Sequence, residues 1–158
     1  MNSNDILRRI RYVFDFGDDQ MITLFALGGL EVTREDVSDW LKRDTDKDYR
    51  VCRDVQLAHF LNGLIIEKRG AQDGPPPVVE TRLNNNIILR KLKIALSLTS
   101  DEMVEVLRSG NADISKSELS AFFRRTDHKH YRECMDQVLR NFLEGLRVRY
   151  RPDARATA

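Results

Sequence analysis

The side chains that could do chemistry in this chain include two cysteines and three histidines. A catalytic cysteine needs a thiolate and a base held beside it. Cys52 has no histidine within one helical turn. The nearest histidine in the sequence, His59, lies seven residues further along the chain. His128 and His130 precede Cys134, but aspartates occupy the matching positions ahead of Cys52. We therefore predict that both thiols are buried, unpaired packing residues in a reducing compartment.

Alternating aspartates form a second candidate site. Asp44, Asp46 and Asp48 resemble the start of a calcium loop, yet the sequence lacks the glycine at the required bend and the glutamate that closes such a loop. The chain also has no phosphate loop, no serine elbow and no dinucleotide fingerprint. The sequence therefore predicts an exposed turn at these aspartates, no metal, no cofactor and no enzymatic activity.

Basic side chains give the remaining signal, and they are dense between Arg124 and Arg132. The sequence predicts that a helix begins within this segment, where outward backbone N–H groups and basic side chains would form an anion site. A solvated turn, in which the tyrosine packs and the arginine pairs with an aspartate, is the alternative interpretation. The predicted nucleic-acid or anion surface consists of Lys116, Arg124, Arg125, Lys129 and Arg132.

The distribution of charge supports the second half of the chain as the binding half. The whole chain has a net charge of +1, so it is not an obvious polyanion binder. Residues 1–82 carry 12 basic and 15 acidic side chains, a net charge of −3. Residues 83–158 carry 14 basic and 10 acidic side chains, a net charge of +4. An anionic partner is therefore expected to bind the second half.

The elements that position these residues come from one block used twice. Residues 47–64 read KDYRVCRDVQLAHFLNGL, and residues 129–146 read KHYRECMDQVLRNFLEGL. The offset of 82 holds without a gap from Asn4 and Asn86 to Arg69 and Arg151, and 20 of these 66 pairs are identical. Such a duplication indicates one supersecondary unit that occurs twice.

Apolar spacing at the helical period predicts four helices in each repeat and no strand. In the first repeat, Asn4 is expected to cap the first helix, and the second helix is expected to start near Asp18. Thr33 and Asp36 have the spacing of a capping box at the third helix, as Ser115 and Glu118 have in the second repeat.

Small residues are expected to shape the helix ends and contacts. Gly28 and Gly110 are predicted to end helices in the left-handed conformation. Cys52 and Gly63 are predicted to share a flank of the fourth helix, where small side chains let another helix approach. The predicted helix Ser115–Arg125, together with the helix before it, is similar to a helix-turn-helix pair, although the intervening turn is longer than usual.

The predicted fold class is all-α, with two tandem four-helix repeats related by pseudo-twofold symmetry and packed into one body. Packing into one body is expected because a single repeat of 66 residues would be marginally stable. The predicted boundaries are 1–70 for the first repeat, 71–83 for a Gly/Pro-rich linker, 84–151 for the second repeat and 152–158 for a disordered tail.

The doubled pattern Lys-x-Tyr-Arg-x-Cys-x-Asp, continued by Leu-x-x-Phe-Leu-x-Gly-Leu, resembles the YehS-like family of uncharacterised bacterial proteins. Residues 85–92, which read NNIILRKL, also resemble that family. The resemblance covers nearly the whole chain, from Asn4 to Arg151. It implies a small bacterial cytoplasmic protein with a tandem repeat, and it supplies no catalytic residues.

Two functions of different classes follow from the sequence. The first is a non-catalytic nucleic-acid-binding or regulatory module that uses a helix-turn-helix-like surface of the second repeat. The second is a protein–protein adaptor or homo-oligomeric scaffold that binds a protein partner or itself. No apolar run approaches about 18 residues and the N-terminus lacks a signal segment, so the expected location is the cytoplasm, with no membrane contact.

Overall fold

The computed structural model describes residues 1–155, and within that range the chain forms eight α-helices and no strand. The predicted all-α class is therefore confirmed. The chain divides into two compact units, Met1–Leu83 and the chain from Asn84 onward. The helices are α1 (Ser3–Phe14), α2 (Asp18–Leu27), α3 (Arg34–Leu41), α4 (Asp54–Arg69), α5 (Asn85–Ala95), α6 (Ser100–Ser109), α7 (Lys116–Phe122) and α8 (Asp136–Tyr150).

The two units correspond helix by helix. Each helix of the second unit begins 82 residues after its counterpart in the first, and the ends agree within one residue. The predicted capping boxes are present at the starts of both α3 and α7. The prediction of two four-helix repeats is confirmed, whereas their pseudo-twofold relation and their packing into one body stay predictions.

The apolar core of each unit lies between its helices. In the first unit, the ring of Phe25 on α2 lies 5.1 Å from Phe60 on α4 and 5.3 Å from Trp40 on α3. In the second unit, the equivalent buried positions hold Leu107, Phe142 and Phe122. The predicted apolar faces therefore point inward in both repeats.

Glycines bring the backbones of two helices into contact in each unit. A Cβ at Gly63 on α4 would lie 1.7 Å from the carbonyl oxygen of Leu24 on α2. A Cβ at Gly145 on α8 would lie 1.9 Å from the carbonyl oxygen of Val106 on α6. Both distances are far below van der Waals contact, so any larger residue would force the two helices apart.

The predicted left-handed conformation of Gly28 and Gly110 is wrong. Their φ angles are −80° and −93°, and the left-handed residues come one position later, at Gly29 and Asn111, with φ of 94° and 70°. Gly28 is required instead by space, because a Cβ there would lie 1.7 Å from the carbonyl oxygen of His59.

The predicted cap of the first helix is also wrong by two residues. The side chain of Asn2 accepts a hydrogen bond from the backbone N–H of Asp5 at 2.8 Å, and Asn84 caps α5 through Ile87 in the same way. Asn4 lies inside α1 and is fully buried. Its amide is therefore available for contacts outside its own helix.

The segments outside the repeats have some contacts of their own. The predicted linker between α4 and α5 includes Val78. Its carbonyl accepts a hydrogen bond from the side chain of Asn62 on α4 at 2.9 Å. Of the predicted disordered tail, residues 156–158 lie outside the described residues, while residues 152–155 contain a turn at which the Ala154 carbonyl accepts from Arg147 at 2.6 Å. None of the helices in residues 1–155 is long and apolar enough to cross a membrane.

Candidate functional site

A buried asparagine amide holds the basic loop of the second repeat, residues 123–135, between α7 and α8. The side chain of Asn86 donates to the carbonyls of Phe122 and Arg132 at 3.0 and 2.8 Å, and it accepts from the backbone N–H of Cys134 at 2.9 Å. Asn86 is 6% exposed, so water does not compete for these groups. The loop is thereby tied to α5 at both of its ends.

The same bonds explain why the predicted fourth helix starts later than expected. In the first repeat, Asn4 accepts from the backbone N–H of Cys52 at 2.9 Å and donates to the carbonyls of Trp40 and Arg50. Backbone groups bonded to a side chain in this way do not enter the helical pattern. Consequently α4 begins at Asp54, and the two cysteines lie in loops and not on the helices.

The predicted helix N-terminus within the basic segment is therefore wrong. α7 ends at Phe122 and α8 begins at Asp136, so Arg124 and Arg125 lie in the loop and not on an exposed helix face. Lys129 and Arg132 lie in that loop too, ahead of the first turn of α8. An anion bound at these basic side chains would therefore not be next to a helix N-terminus.

The five predicted site residues differ in their ion pairs. Lys116 pairs with Asp101 at 3.0 Å, Arg125 pairs with Asp127 at 3.4 Å, and Arg132 pairs with Glu118 at 3.5 Å, all between exposed groups. Arg124 and Lys129 make no ion pair within residues 1–155. Exposed pairs of this kind stabilise a protein by about 0–1 kcal/mol, so a polyanion could compete for these arginines and lysines.

Arg124 borders two concavities. The first has a volume of about 490 Å³ and is lined by Arg124, Arg125, Phe123 and other residues. The second has a volume of about 450 Å³ and is lined by Arg124, Arg132 and their neighbours. The structure thus brings three of the predicted residues together around these concavities, whereas Lys116 and Lys129 line neither of them.

Arg90 is a further lining residue, which the basic pattern of the loop did not identify. It lies on α5, borders the larger concavity and donates a hydrogen bond to the carbonyl of Phe123. Its guanidinium carbon lies 5.9 Å from the centroid of the Phe123 ring. The signal that could have found it is its identity with Arg8 in the aligned repeat.

In the first repeat, carboxylates pair with the counterparts of two predicted site residues, Arg124 and Arg132. Lys42, the counterpart of Arg124, pairs with Asp39 at 2.7 Å, and Arg50, the counterpart of Arg132, contacts Asp36 and Asp39 at 2.9 and 3.3 Å. In the second repeat, Ala121 occupies the position of Asp39. Arg124 therefore lacks the acceptor that Lys42 has.

These contacts shift the pKa values of the acidic groups. The hydrogen bond from Lys42 lowers the pKa of Asp39, and the backbone N–H of Thr33 lowers the pKa of Asp36, with Arg50 adding to both effects. The hydrogen bond to Asp36 in turn raises the pKa of Arg50. Lys42 and Arg50 are thus held by the carboxylates of their own repeat.

The two thiols are buried in both repeats. Cys52 is 3% exposed and Cys134 is 1% exposed, and neither forms a disulfide. Burial raises the pKa of each thiol to about 12, so the nucleophilic thiolate is scarce at neutral pH. The prediction of buried, unpaired thiols is confirmed. Within residues 1–155, no cluster of three histidine, cysteine or acidic side chains could hold a metal ion.

Comparison with known proteins finds relatives that carry the same two repeats. A profile for the family described as "Protein of unknown function (DUF1456)" matches residues 3–70 and 85–151. "Uncharacterized protein YehS" of Escherichia coli (strain K12) is 43% identical over 150 residues, which cover 94% of this chain and 96% of that relative. No solved structure matches the chain. The two segments that match the family coincide with the two repeats.

Proposed function

We propose that this chain, which belongs to the DUF1456 family of proteins of unknown function, is a non-catalytic cytoplasmic protein that binds nucleic acid through its second repeat. The observation that carries the proposal is the position of Arg124. This arginine borders both concavities and has no carboxylate partner within residues 1–155, while its counterpart Lys42 is bound to Asp39 at 2.7 Å.

Electrostatics supports a polyanion as the partner. Arg125 and Arg132 each border one of the two concavities that Arg124 lines, and they pair with exposed carboxylates at 3.4 and 3.5 Å. Such contacts are weak in water, so successive phosphates of a strand could replace them. Lys129, an exposed residue near the middle of the loop, would add a further contact to the backbone of the strand. Phosphate contacts of this kind provide affinity without reading the base sequence.

The helix-turn-helix interpretation of α6 and α7 stays a prediction within this proposal. Residues 110–115 connect the two helices, and α7 has only seven residues. Lys116, the first residue of α7, pairs with Asp101 on α6 at 3.0 Å. We therefore assign the main phosphate contacts to the loop after α7, with α7 as its support.

The test is fluorescence anisotropy with a labelled single strand and a labelled duplex over a range of salt concentrations. Binding is expected to weaken as salt rises, because phosphate contacts release counterions. The double variant Arg124→Ala/Arg125→Ala is expected to bind more weakly and to flatten the salt dependence by about one unit for each lost phosphate contact.

The matched control is the double variant Lys42→Ala/Arg43→Ala at the equivalent positions of the first repeat. It removes the same number of positive charges, so it separates local contacts from a general effect of net charge. Equal losses in the two double variants would contradict the assignment to the second repeat. No binding of either nucleic acid at low salt would contradict the whole proposal.

An adaptor or self-associating scaffold is the second candidate function. It is supported by two large apolar side chains in solvent, Val51 and Met135, which are 64% and 63% exposed. Exposed apolar side chains of this size favour protein contacts when they belong to a larger patch. Sedimentation of the wild type and of Met135→Ser would detect self-association that depends on this residue, and a monomer at all concentrations would rule out the oligomer.

A further inference from the structure

The first repeat contains a cradle whose charges cancel. This concavity of about 270 Å³ is lined by side chains that include Asp5, Arg8, Arg43 and Asp44. The lining thus contains two guanidinium groups and two carboxylates, and the formal charge sums to zero. Arg8 shows how the cancellation works, because it donates to Asp5 at 2.7 Å and to the carbonyl of Lys42 at 3.2 Å.

The second repeat contains the same cradle with different charges. Arg90 and Arg125 stand at the positions of Arg8 and Arg43, but Ile87 replaces Asp5 and a threonine replaces Asp44. Arg124 adds a third positive charge, and Asp127 is the one carboxylate among the lining residues that the structure describes. The formal charge of the second cradle is therefore +2, and its volume is about 490 Å³.

Arg90 lacks the carboxylate partner that Arg8 has, because Ile87 stands at the position of Asp5. Like Arg8, it donates to a backbone carbonyl at the start of the loop that follows the third helix of its repeat, here the carbonyl of Phe123. No carboxylate pairs with it in residues 1–155. In the first repeat, Asp5 fills the place of an anion beside the anchored arginine, so the second repeat offers that place to an anion from outside.

We propose that the second cradle binds the 5′-phosphate of a nucleotide. A cradle of charge +2 matches a dianion, and a phosphomonoester carries about −1.5 to −2 at neutral pH, whereas a carboxylate carries only −1. Arginine suits this group because its planar fork donates two hydrogen bonds to phosphate oxygens. The volume lies within the range of small-molecule sites, about 300–1,000 Å³.

The rest of the cradle is suited to the nucleoside. Ile87, Phe122 and Phe123 contribute apolar surface beside the arginines. A base can lie on such surface while its phosphate reaches the guanidinium groups, since aromatic and apolar side chains stack with bases of any sequence. The nucleotide could be free in solution or could be the phosphorylated end of a strand, and only the second source rests on the proposed nucleic-acid function.

The first experiment is titration calorimetry with each ribonucleoside 5′-monophosphate and with the matching nucleoside that lacks phosphate. The nucleotide is expected to bind and the nucleoside is not. Ile87→Asp should weaken nucleotide binding about 10- to 100-fold, because the new carboxylate would occupy Arg90 as Asp5 occupies Arg8. This variant should fold well, since Asp5 at the same helix position completes a capping box with Asn2.

Arg90→Ala should cause a similar loss, and Arg8→Ala is the matched control that should leave the affinity unchanged. The inference is overturned if no nucleotide binds, if nucleoside and nucleotide bind equally, or if Ile87→Asp binds like the wild type. Circular dichroism of each variant establishes that a loss of binding is not a loss of fold.

The second experiment compares a single strand with a 5′-phosphate and the same strand with a 5′-hydroxyl. A preference for the phosphorylated strand that Ile87→Asp removes identifies the strand end as the source, and equal binding of both strands alongside nucleotide binding identifies the free nucleotide. Strand binding without nucleotide binding and without end preference overturns this inference and leaves the proposed function intact. Nucleotide binding without any strand binding overturns the proposed function and leaves this inference intact.

Discussion

Asn4 and Asn86 make the same three buried hydrogen bonds in the two repeats, whereas the equivalent residues Arg50 and Arg132 have different partners. Arg50 contacts two carboxylates at 2.9 and 3.3 Å, and Arg132 contacts one, Glu118, at 3.5 Å. The buried bonds satisfy backbone groups that the fold cannot leave unpaired. The surface ion pairs of Arg50 and Arg132 are not required by the fold in this way. A repeat with fewer such pairs could use its arginines to bind an anionic partner.

The largest effect is expected from removing the buried amide. Asn86→Ala would leave two carbonyls and one N–H without their partner, and each unsatisfied buried group costs about 1–3 kcal/mol. We expect a loss of about 3 kcal/mol or more in the free energy of unfolding, measured by urea denaturation. Asn4→Ala should cost a similar amount, because its bonds have nearly the same lengths.

The matched controls are Asn2→Ala and Asn84→Ala, two positions upstream of the buried amides. These residues cap α1 and α5, so their loss should cost about 1 kcal/mol. If the cap variants proved as destabilising as the variants of the buried amides, the two classes of asparagine would not differ in the way the structure indicates.

A smaller effect is expected where helices touch through glycine. Gly145→Ala would place a Cβ 1.9 Å from the carbonyl oxygen of Val106, and Gly63→Ala would place one 1.7 Å from that of Leu24. The strain of separating the helices should outweigh the gain in helix propensity of about 1 kcal/mol, giving a net loss of about 1–3 kcal/mol. Thermal denaturation would measure this loss in both repeats. Gly17→Ser is a suitable control, because a Cβ there meets nothing within 4 Å.

Much of this fold could be predicted from local sequence signals. The apolar period and the capping boxes predicted four helices per repeat, because both signals lie within a few residues of one another. The true role of Asn4 could not be predicted in this way. Its partners lie 36 to 48 residues away, and a buried amide that binds distant backbone carries no local pattern. The requirement for Gly28 was misjudged for the same reason, since the atom it must avoid belongs to another helix.

The residues of the candidate site also differ in whether local sequence could identify them. Arg124 and Arg125 could be found as neighbours in a basic run, but Arg90 lies more than thirty residues earlier and reaches them only through the fold. The pairing of Lys116 with Asp101 was equally hidden, because it joins the starts of two helices. Aligning the repeats supplies part of the missing signal. It shows that Arg90 matches Arg8, while Ile87 stands where the first repeat has Asp5.

The thiols provide a test in which the two repeats should agree. Replacing Cys52 or Cys134 by serine should cost on the order of 1 kcal/mol, because a buried hydroxyl loses its bonds to water. With a pKa of about 12, each native thiol should react with a disulfide reagent only when the protein opens. Reaction rates in the native protein and in urea would establish this, and rapid modification of one thiol in the native state would show that the repeats differ in their interiors.

The smallest effect is expected from the surface carboxylate that distinguishes the repeats. The hydrogen bond from Lys42 lowers the pKa of Asp39, so the ionised carboxylate stabilises the folded state above the pKa of the unfolded chain, about 3.9. This contribution is lost as the pH falls through the lowered value in the folded state. Asp39→Asn should therefore lower the melting temperature slightly at pH 7, by an amount that shrinks as the pH falls through the lowered pKa of Asp39, and a difference that did not shrink in acid would show that the charge is not responsible. The reciprocal variant Ala121→Asp gives the second repeat the same carboxylate beside Arg124 and Arg132. It should weaken nucleic-acid binding in the anisotropy titration while Asp39→Asn does not, since Arg124 and Arg132 lie on the proposed contact surface and Lys42 and Arg50 do not.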